Sequence, residues 1–247
     1  MTEPLLEVKN LRKMFGAVEA TKNLSFSVQE NTIHALIGPN GAGKTTAVNQ
    51  LTGDIFPDSG SILYNGRDIT KLKVHQRAKL GIARSFQITH IFENLTVAEN
   101  LALAISTHSG HNFRFWKKAL DSTPVKKGLA EALQRVDLTD RAELLASHLS
   151  HGEKRQLEVG MTLTRRPGIL ILDEPMAGMG PGGTVELAKL IKSLKSETTI
   201  ILVEHDMDVV FSLADQITVL VYGENIASGT PDEIKNNSLV RSVYLGD

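Results

Sequence analysis

A glycine-rich segment at positions 38–45, with the sequence GPNGAGKT, has the clearest chemical meaning in the chain. It matches the pattern G-x-x-x-x-G-K-[ST], whose glycines let the backbone wrap around phosphates so that successive N–H groups face the negative charge. Lys44 is expected to reach the β- and γ-phosphates, and Thr45 to ligate Mg²⁺. The segment predicts a nucleotide-binding loop, and a chance glycine-rich turn is the alternative. The loop residues are Gly38, Pro39, Asn40, Gly41, Ala42, Gly43, Lys44, Thr45 and Thr46.

Two adjacent carboxylates, Asp173 and Glu174, follow the aliphatic run at 169–172. A buried strand that ends there would present both side chains at the edge of an open α/β sheet, where ligands bind. Asp173 would then hold the Mg²⁺ shell, and Glu174 would polarise the water that attacks the γ-phosphate. A strand end capped by two solvated acids is the alternative, which the nearby phosphate loop disfavours.

The elements before and after the loop are the ones that the motif requires. Residues 32–37 form a continuous apolar run that ends in glycine, as expected of a buried parallel strand, and 45–51 can be helical. Apolar and polar residues alternate with a period of two over 24–29, which predicts a half-buried strand. The dipeptide at 65–66, Asn-Gly, lies between short apolar runs and predicts a hairpin turn.

The middle of the chain is predicted to be helical. Capping boxes at 96–99 and 150–153 indicate helix starts, so 87–166 is interpreted as a helical subdomain. Beyond it, 169–172 and 199–203 are predicted to be buried strands on either side of a helix, and this alternation indicates a parallel sheet. The fold is predicted to be α/β, with an antiparallel N-terminal β portion and an inserted helical subdomain, in a single domain whose P-loop core is 1–86 and 167–247.

Composition limits the classes of protein that the chain can be. Its 27 basic and 28 acidic residues give a net charge of -1, which is not the electrostatic footprint of a nucleic-acid binder. The absence of cysteine excludes disulfides and thiolate metal sites and is compatible with a reducing cytoplasm. No secretory signal is predicted, and the apolar runs are far shorter than the ~20 residues that span a bilayer. Any role at a membrane is therefore expected to need a partner.

Five features in order along the chain resemble the ATP-binding cassette (ABC) ATPase family over essentially the whole length: the loop at 38–45, Gln87, LSHGE at 149–153, the acidic pair at 173–174 and His205. The resemblance implies ATP hydrolysis with ATP and Mg²⁺ as cofactors. It also implies a head-to-tail dimer, in which the signature segment of one subunit closes the ATP held by the other. The signature residues would be Leu149, Ser150, His151, Gly152 and Glu153.

The family pattern assigns roles to further positions. Ser150 and Gly152 would contact the partner's γ-phosphate from a helix start, although Ser150 could also simply cap that helix. Gln87 would touch Mg²⁺ and the attacking water. His205 matches the switch histidine that contacts the γ-phosphate, and a strand-end histidine satisfied by a neighbour is the alternative. Phe15 matches the aromatic that stacks on adenine, and an ordinary core phenylalanine is the alternative.

The sequence departs from the usual family pattern at two places. The signature carries His151 and Glu153 where the family usually has glycine and glutamine. Gly180 replaces the aspartate that is common at the end of the following loop. The serine and the second glycine are retained, so hydrolysis is expected. The communication between the two sites of a dimer is left open by these changes.

Segments at 81–87, 92–100, 173–178, 205–208 and 229–246 are similar to ATP-binding subunits of bacterial branched-chain amino-acid uptake systems, and of related urea and short-amide systems. The alternatives are a lipopolysaccharide-export ATPase, a soluble ABC ATPase acting on DNA or ribosomes, and a non-hydrolysing regulatory cassette. The resemblance implies two transmembrane permeases, an identical or related second ATPase and an extracytoplasmic substrate-binding protein, without nucleic acid. The chain would be cytoplasmic, on the inner face of the plasma membrane.

A stretch at 111–119 combines three aromatic with three basic residues. We hypothesise that it lies on the membrane-facing side of the helical subdomain, near anionic headgroups or the permease. A surface loop whose aromatic residues pack locally is the alternative.

Overall fold

The computed structural model describes residues 3–85, 91–106 and 123–245. The chain divides into two compact units. The core unit comprises Met1–Arg84, Gly168–Glu174 and Leu194–Asp247, and the helical unit comprises Ser85–Pro167 and Pro175–Ser193. Residues 175–193, which sequence reasoning placed in the core, thus group with the helical unit.

The described residues contain both strands and helices, as an α/β fold requires. The strands are β1 (Leu6–Phe15), β2 (Val18–Val28), β3 (Ile33–Ile37), β4 (Ser59–Tyr64), β5 (Arg67–Asp68), β6 (Ile82–Ser85), β7 (Ile169–Asp173), β8 (Thr199–Val203), β9 (Gln216–Val221) and β10 (Glu224–Gly229). The α-helices are α1 (Lys44–Thr52), α2 (Val74–Leu80), α3 (Val97–Ser106), α4 (Thr123–Arg135), α5 (His151–Leu163), α6 (Pro181–Leu194), α7 (Met207–Leu213), α8 (Pro231–Asn236) and α9 (Ser238–Leu245).

A four-stranded antiparallel sheet in the core unit has the order β2-β1-β4-β5. Leu24, Phe26 and Val28 of β2 are buried and alternate with more exposed serines, which confirms the predicted half-buried strand. Asn65 and Gly66 join β4 to β5 with φ of 50° and 72°. Positive φ at both central residues is what a type I′ turn needs, so the predicted hairpin is confirmed.

A six-stranded sheet with the order β10-β9-β3-β8-β7-β6 positions the glycine-rich loop and the acidic pair. β3 pairs in parallel with β8 and β9, and β7 pairs in parallel with β8. Every residue of β3, β7 and β8 is buried, which confirms the three predicted buried strands. Because carboxyl ends of parallel strands meet at one edge, the loop after β3 and the acids that end β7 share that edge.

The helix after the loop, α1, is held firmly at its far end. Its last residue is Thr52, and the C-cap Gly53 has φ of 83°, so the helix predicted at 45–51 is confirmed. Arg77 of α2 is fully buried and donates from Nη1 to the carbonyls of Gln50 and Leu51 at 2.6 and 2.8 Å. Burial lowers the pKa of Arg77 to about 10, which leaves it charged near neutral pH. A buried cation thus stabilises the negative end of the α1 dipole.

The helical unit packs α3 against α4 and α5. Thr96 and Glu99 form the predicted capping box, with hydrogen bonds of 2.8 and 3.1 Å between each side chain and the other's backbone N–H. A Cβ added to Gly152 of α5 would lie 3.5 Å from the α-carbon of Gly183 in α6. This close approach is one reason why 175–193 groups with the helical unit. None of the described helices is long and apolar enough to cross a membrane.

Candidate functional site

The phosphate loop lies between β3 and α1 and depends on glycine. Gly43 has φ of 100°, and a Cβ added there would lie 2.2 Å from the carbonyl oxygen of Ala20. A Cβ on Gly38 would lie 2.3 Å from the carbonyl oxygen of Leu220. Pro39, Asn40 and Gly41 are exposed, so the outer part of the loop is accessible. Substitution of either inner glycine would displace backbone, which explains the residue type at these two positions of the motif.

The start of α1 is suited to an anion. Its N-cap is Gly43, which supplies no side-chain hydrogen bond, so the first N–H groups of the helix have no partner from a capping side chain. Lys44 is buried and donates from Nζ to the carbonyl oxygens of Gly38 at 2.6 Å and Pro39 at 3.1 Å. The adjacent Thr45 is exposed and Thr46 is half-buried. The helix dipole and the lysine thus place positive charge at one point.

Two carboxylates lie near that charge at the end of β7. Burial lowers the pKa of Lys44, and the charges of Glu174 and Asp173 partly oppose that shift. Asp173 is only 1% exposed. Glu174 is half-buried, has φ of 47°, and donates its backbone N–H to the carbonyl of Val203 at 2.8 Å. A glutamate with positive φ is uncommon, and such strain is typical of functional sites.

Arg84 is a residue that sequence reasoning missed as part of the site. Its Nη2 donates to Oδ2 of Asp173 at 2.7 Å, although the two residues are 89 positions apart. The available signal was an arginine within the strand β6, next to the apolar Ile82 and Ala83. A charged side chain that is largely buried needs a partner, but sequence spacing alone does not identify which one.

His205 follows β8 and lies beyond the same sheet. Its side chain is 62% exposed, and its Nδ1 is 3.8 Å from Oε2 of the buried Glu204. The next residue, Asp206, caps α7 by accepting from the N–H groups of Asp208 and Val209. The short helix therefore fixes the backbone just after His205, while the imidazole itself is accessible.

Phe15 is at the exposed end of β1 and is not a core residue. It is 47% exposed, and Nζ of Lys13 lies 5.8 Å from the ring centroid. An accessible ring is compatible with the predicted stacking on adenine, which stays a prediction. Gln87 and the stretch at 111–119 lie outside the described residues.

The signature segment belongs to the helical unit. Ser150 caps α5, with its Oγ accepting from the N–H of Glu153 at 3.2 Å, while Oε2 of Glu153 accepts from the N–H of Ser150 at 2.8 Å. Leu149 is buried, and Nε2 of His151 lies 3.3 Å from the carbonyl oxygen of Ala177. The predicted capping box is thus confirmed, and the substituted glutamate is one of its two members.

Arg141 is the positively charged partner of Glu153. Its Nε donates to Oε1 of Glu153 at 2.8 Å. This hydrogen bond is the largest of the effects that lower the pKa of Glu153, and burial acts in the opposite direction. The carboxylate therefore contacts both a helix start and a guanidinium, each of which favours its charged form.

A phosphate loop between a buried parallel strand and a helix, with an acidic pair at the same sheet edge, defines a P-loop nucleotide hydrolase. A family model described as ABC transporter matches residues 21–177, and one described as branched-chain amino acid ATP-binding cassette transporter matches 224–247. The chain therefore belongs to the ABC transporter family, as an ATP-binding and ATP-hydrolysing subunit.

Individual relatives support this assignment. The chain is 40% identical, over 100% of both chains, to the high-affinity branched-chain amino acid transport ATP-binding protein LivG of Salmonella typhimurium. It is 31% identical, over 98% of both, to the lipopolysaccharide export system ATP-binding protein LptB of Haemophilus influenzae. A crystal structure of the ADP conformation of an ATP-binding cassette of an ABC transporter matches 100% of each chain with a TM-score of 0.86 and 29% identity.

Proposed function

We propose that the chain is the ATPase subunit of an importer of branched-chain amino acids or of related small polar substrates, such as urea and amides. The 40% identity to LivG over both full chains carries this proposal. The C-terminal match at 224–247 to the branched-chain cassette model supports it. Lipopolysaccharide export is the second candidate, because identity to LptB is 31% over nearly the same length.

Mg²⁺ is the proposed metal at this site, bound together with ATP. Thr45 is exposed in the first turn of α1, and Asp173 ends β7, so a hydroxyl and a carboxylate are presented at one sheet edge. Such hard oxygen donors are the ligands that Mg²⁺ prefers. Gln87 is the third proposed ligand. When bound, the ion would supply positive charge that neutralises phosphate oxygens.

The remaining roles follow from charge and position. Lys44 now donates to two carbonyls, and we propose that it exchanges them for phosphate oxygens, which form stronger, charge-assisted hydrogen bonds. Glu174 would orient the attacking water as general base, and His205 would contact the γ-phosphate. Phe15 would stack on adenine. Glu174 has a positive φ, and the charge of its carboxylate acts on Lys44.

The assembly that we propose is a dimer with itself or with a related ATPase. Ser150 and Gly152 of one subunit would contact the ATP on the other. Two transmembrane permeases and an extracytoplasmic substrate-binding protein would complete the importer, with this chain on the cytoplasmic face of the membrane. The family membership and the word transport in the name of LivG support the part of this arrangement that makes the chain a transporter subunit.

Replacing Glu174 by Gln tests the catalytic part of the proposal. Loss of a general base should lower ATP turnover by roughly 10²–10⁴-fold. ATP binding should persist, because Lys44 and the loop backbone are unchanged. Phosphate release and binding of a fluorescent ATP analogue would be measured on the same samples. Glu143→Gln, at an exposed position, is the control and should leave both unchanged. Equal turnover in Glu174→Gln and the unmodified chain would remove Glu174 from this role.

The same variant tests the transporter class. Tagged Glu174→Gln protein would be recovered from its native membranes with ATP and, as a control, without it, and its partners identified. Two permeases with a second, related ATPase would support the amino-acid-type importer. Export-type membrane proteins would favour the second candidate, and ribosomes or DNA without membrane proteins would contradict the transporter assignment.

A further inference from the structure

Arg84 bridges the phosphate-loop helix and the acidic strand end. Its side chain is 14% exposed. Nη2 donates to Oδ2 of Asp173 at 2.7 Å, and Nη1 donates to Oδ1 of Asn49, on α1, at 2.7 Å. One guanidinium therefore contacts both α1, which begins at Lys44, and the aspartate that ends β7.

The orientation of Arg84 is set by these two contacts. Its Nε is buried and has no hydrogen-bond partner among the described residues. A buried donor without an acceptor costs about 1–3 kcal/mol, so this orientation is favourable only because the Nη contacts outweigh that cost. The third contact, between Nη1 and Oδ2 of Asp54, is longer at 3.6 Å, and the Asp54 side chain is 43% exposed. Asn49 and Asp173 thus hold the guanidinium.

The guanidinium of Arg84 is chemically suited to orienting another side chain. A guanidinium is a planar fork, so fixing one Nη on Asn49 also fixes the direction in which the other Nη meets the carboxylate. Asp173 is nearly inaccessible to water, so its orientation depends on protein partners such as Arg84. The contact therefore ties the carboxylate of Asp173 to the helix that presents Thr45.

We propose that Arg84 is a positioning residue that orients the Asp173 carboxylate for Mg²⁺. This inference rests on the proposed metal site and adds to it a residue that would not touch the ion. Partners that orient metal ligands typically contribute about 10–100-fold to metal affinity. Arg84 also precedes Gln87, the other proposed ligand, by only three positions in the sequence.

The test compares ATP affinity with and without the metal. Arg84→Met would be made in the Glu174→Gln background to prevent turnover, and ATP affinity measured in EDTA and in excess Mg²⁺. In the parent variant, which carries only Glu174→Gln, we expect Mg²⁺ to strengthen ATP binding. In Arg84→Met we expect affinity in EDTA to change by less than about twofold, whereas the strengthening by Mg²⁺ falls by roughly tenfold or more. A purely structural role would weaken both values together.

Three further variants sharpen the result. Arg84→Lys keeps the charge but not the fork, so part of the Mg²⁺ effect should return. Asn49→Ala removes the side chain that accepts from Nη1 of Arg84, so it should also reduce the strengthening of ATP binding by Mg²⁺, but by a smaller factor than Arg84→Met. If Arg84→Met does not fold, Asn49→Ala tests the positioning role in its place. Asp54→Asn is the matched control and should leave the Mg²⁺ effect unchanged, because its contact is long and exposed.

Several outcomes would overturn the inference. A Mg²⁺ effect in Arg84→Met equal to the parent's would remove the positioning role, and a larger effect would show that Arg84 competes with the ion. Loss of affinity in EDTA by the same factor would indicate general damage instead. A parent whose ATP affinity is independent of Mg²⁺ would contradict the proposed metal site itself, which distinguishes failure of the proposed function from failure of the role of Arg84.

Discussion

Two helix starts in this chain are built in opposite ways. α1 begins at a glycine with no capping side chain and places the buried Lys44 in its first turn. α5 begins at Ser150 with a complete capping box, and the carboxylate of Glu153 occupies the helix start. The partial positive charge of a helix N-terminus is thus left open in the core unit and satisfied by the chain's own acid in the helical unit.

The difference shows what each helix start can do without a second subunit. α1 combines an open helix start with a lysine, so the isolated chain carries the parts needed to bind nucleotide phosphate. α5 already holds an anion, and Arg141 helps to balance it. In the proposed dimer the signature helix would have to accept a phosphate beside that carboxylate. The substitution of glutamate for the usual glutamine therefore makes Arg141 relevant to this site.

Among the changes that compare the two helix starts, the largest effect is expected from Lys44→Met. Hydrogen bonds to a charged group contribute about 1.5–3 kcal/mol, so ATP affinity should fall by roughly 10–100-fold. Titration with a fluorescent ATP analogue would measure it. Lys154→Met is the matched control in the first turn of α5, where Lys154 pairs with Glu93 at 2.7 Å. That variant should bind ATP like the unmodified chain. A similar loss in both variants would mean that the two helix starts do not differ as described.

An intermediate effect is expected from Ser150→Ala. Removing an N-cap side chain costs about 0.5–2 kcal/mol, so the free energy of unfolding should fall within that range. ATP affinity of the isolated chain should not change, because Ser150 belongs to the helical unit. Urea unfolding and ATP titration would measure the two quantities. Ser150→Thr retains the cap and should recover most of the stability; a loss as large as that of the alanine variant would argue against capping as the cause.

The smallest effect is expected from Arg141→Gln, since both partners are solvent-accessible and surface ion pairs contribute little. The folded-state pKa of Glu153 is below its ordinary value of 4.5. The contribution of the charged Glu153 side chain to the free energy of unfolding is therefore complete above pH 4.5. It is lost as the pH falls through the lower pKa of the folded state. The variant should be slightly less stable at neutral pH, and the difference should vanish in acid.

Urea unfolding at a series of pH values would follow this difference. Repeating the comparison in a Glu153→Gln background isolates the pair. There Arg141→Gln should have no further effect at any pH, and a persisting difference would assign the role of Arg141 to another contact.

Local patterns made most of the fold predictable. The Asn65-Gly66 turn, the all-buried β7 and the two capping boxes each depend on residues that are close in sequence, so their signals are present in short windows. Arg84 and Asp173 are 89 positions apart, and their contact follows from the order of the strands. The grouping of 175–193 with the helical unit likewise depends on the approach of Gly152 to Gly183, which no spacing in the sequence encodes.

Arg77, at the C-terminal end of α1, affects the thermodynamics of nucleotide binding. Arg77 fixes the last carbonyls of α1, and Arg84 holds Asn49 partway along the same helix. The helix behind the phosphate loop is thus preorganised before any ligand arrives, so nucleotide binding need not restrict its backbone. The conformational entropy lost on binding then comes from the ligand and from the groups that contact it, and not from the backbone of this helix.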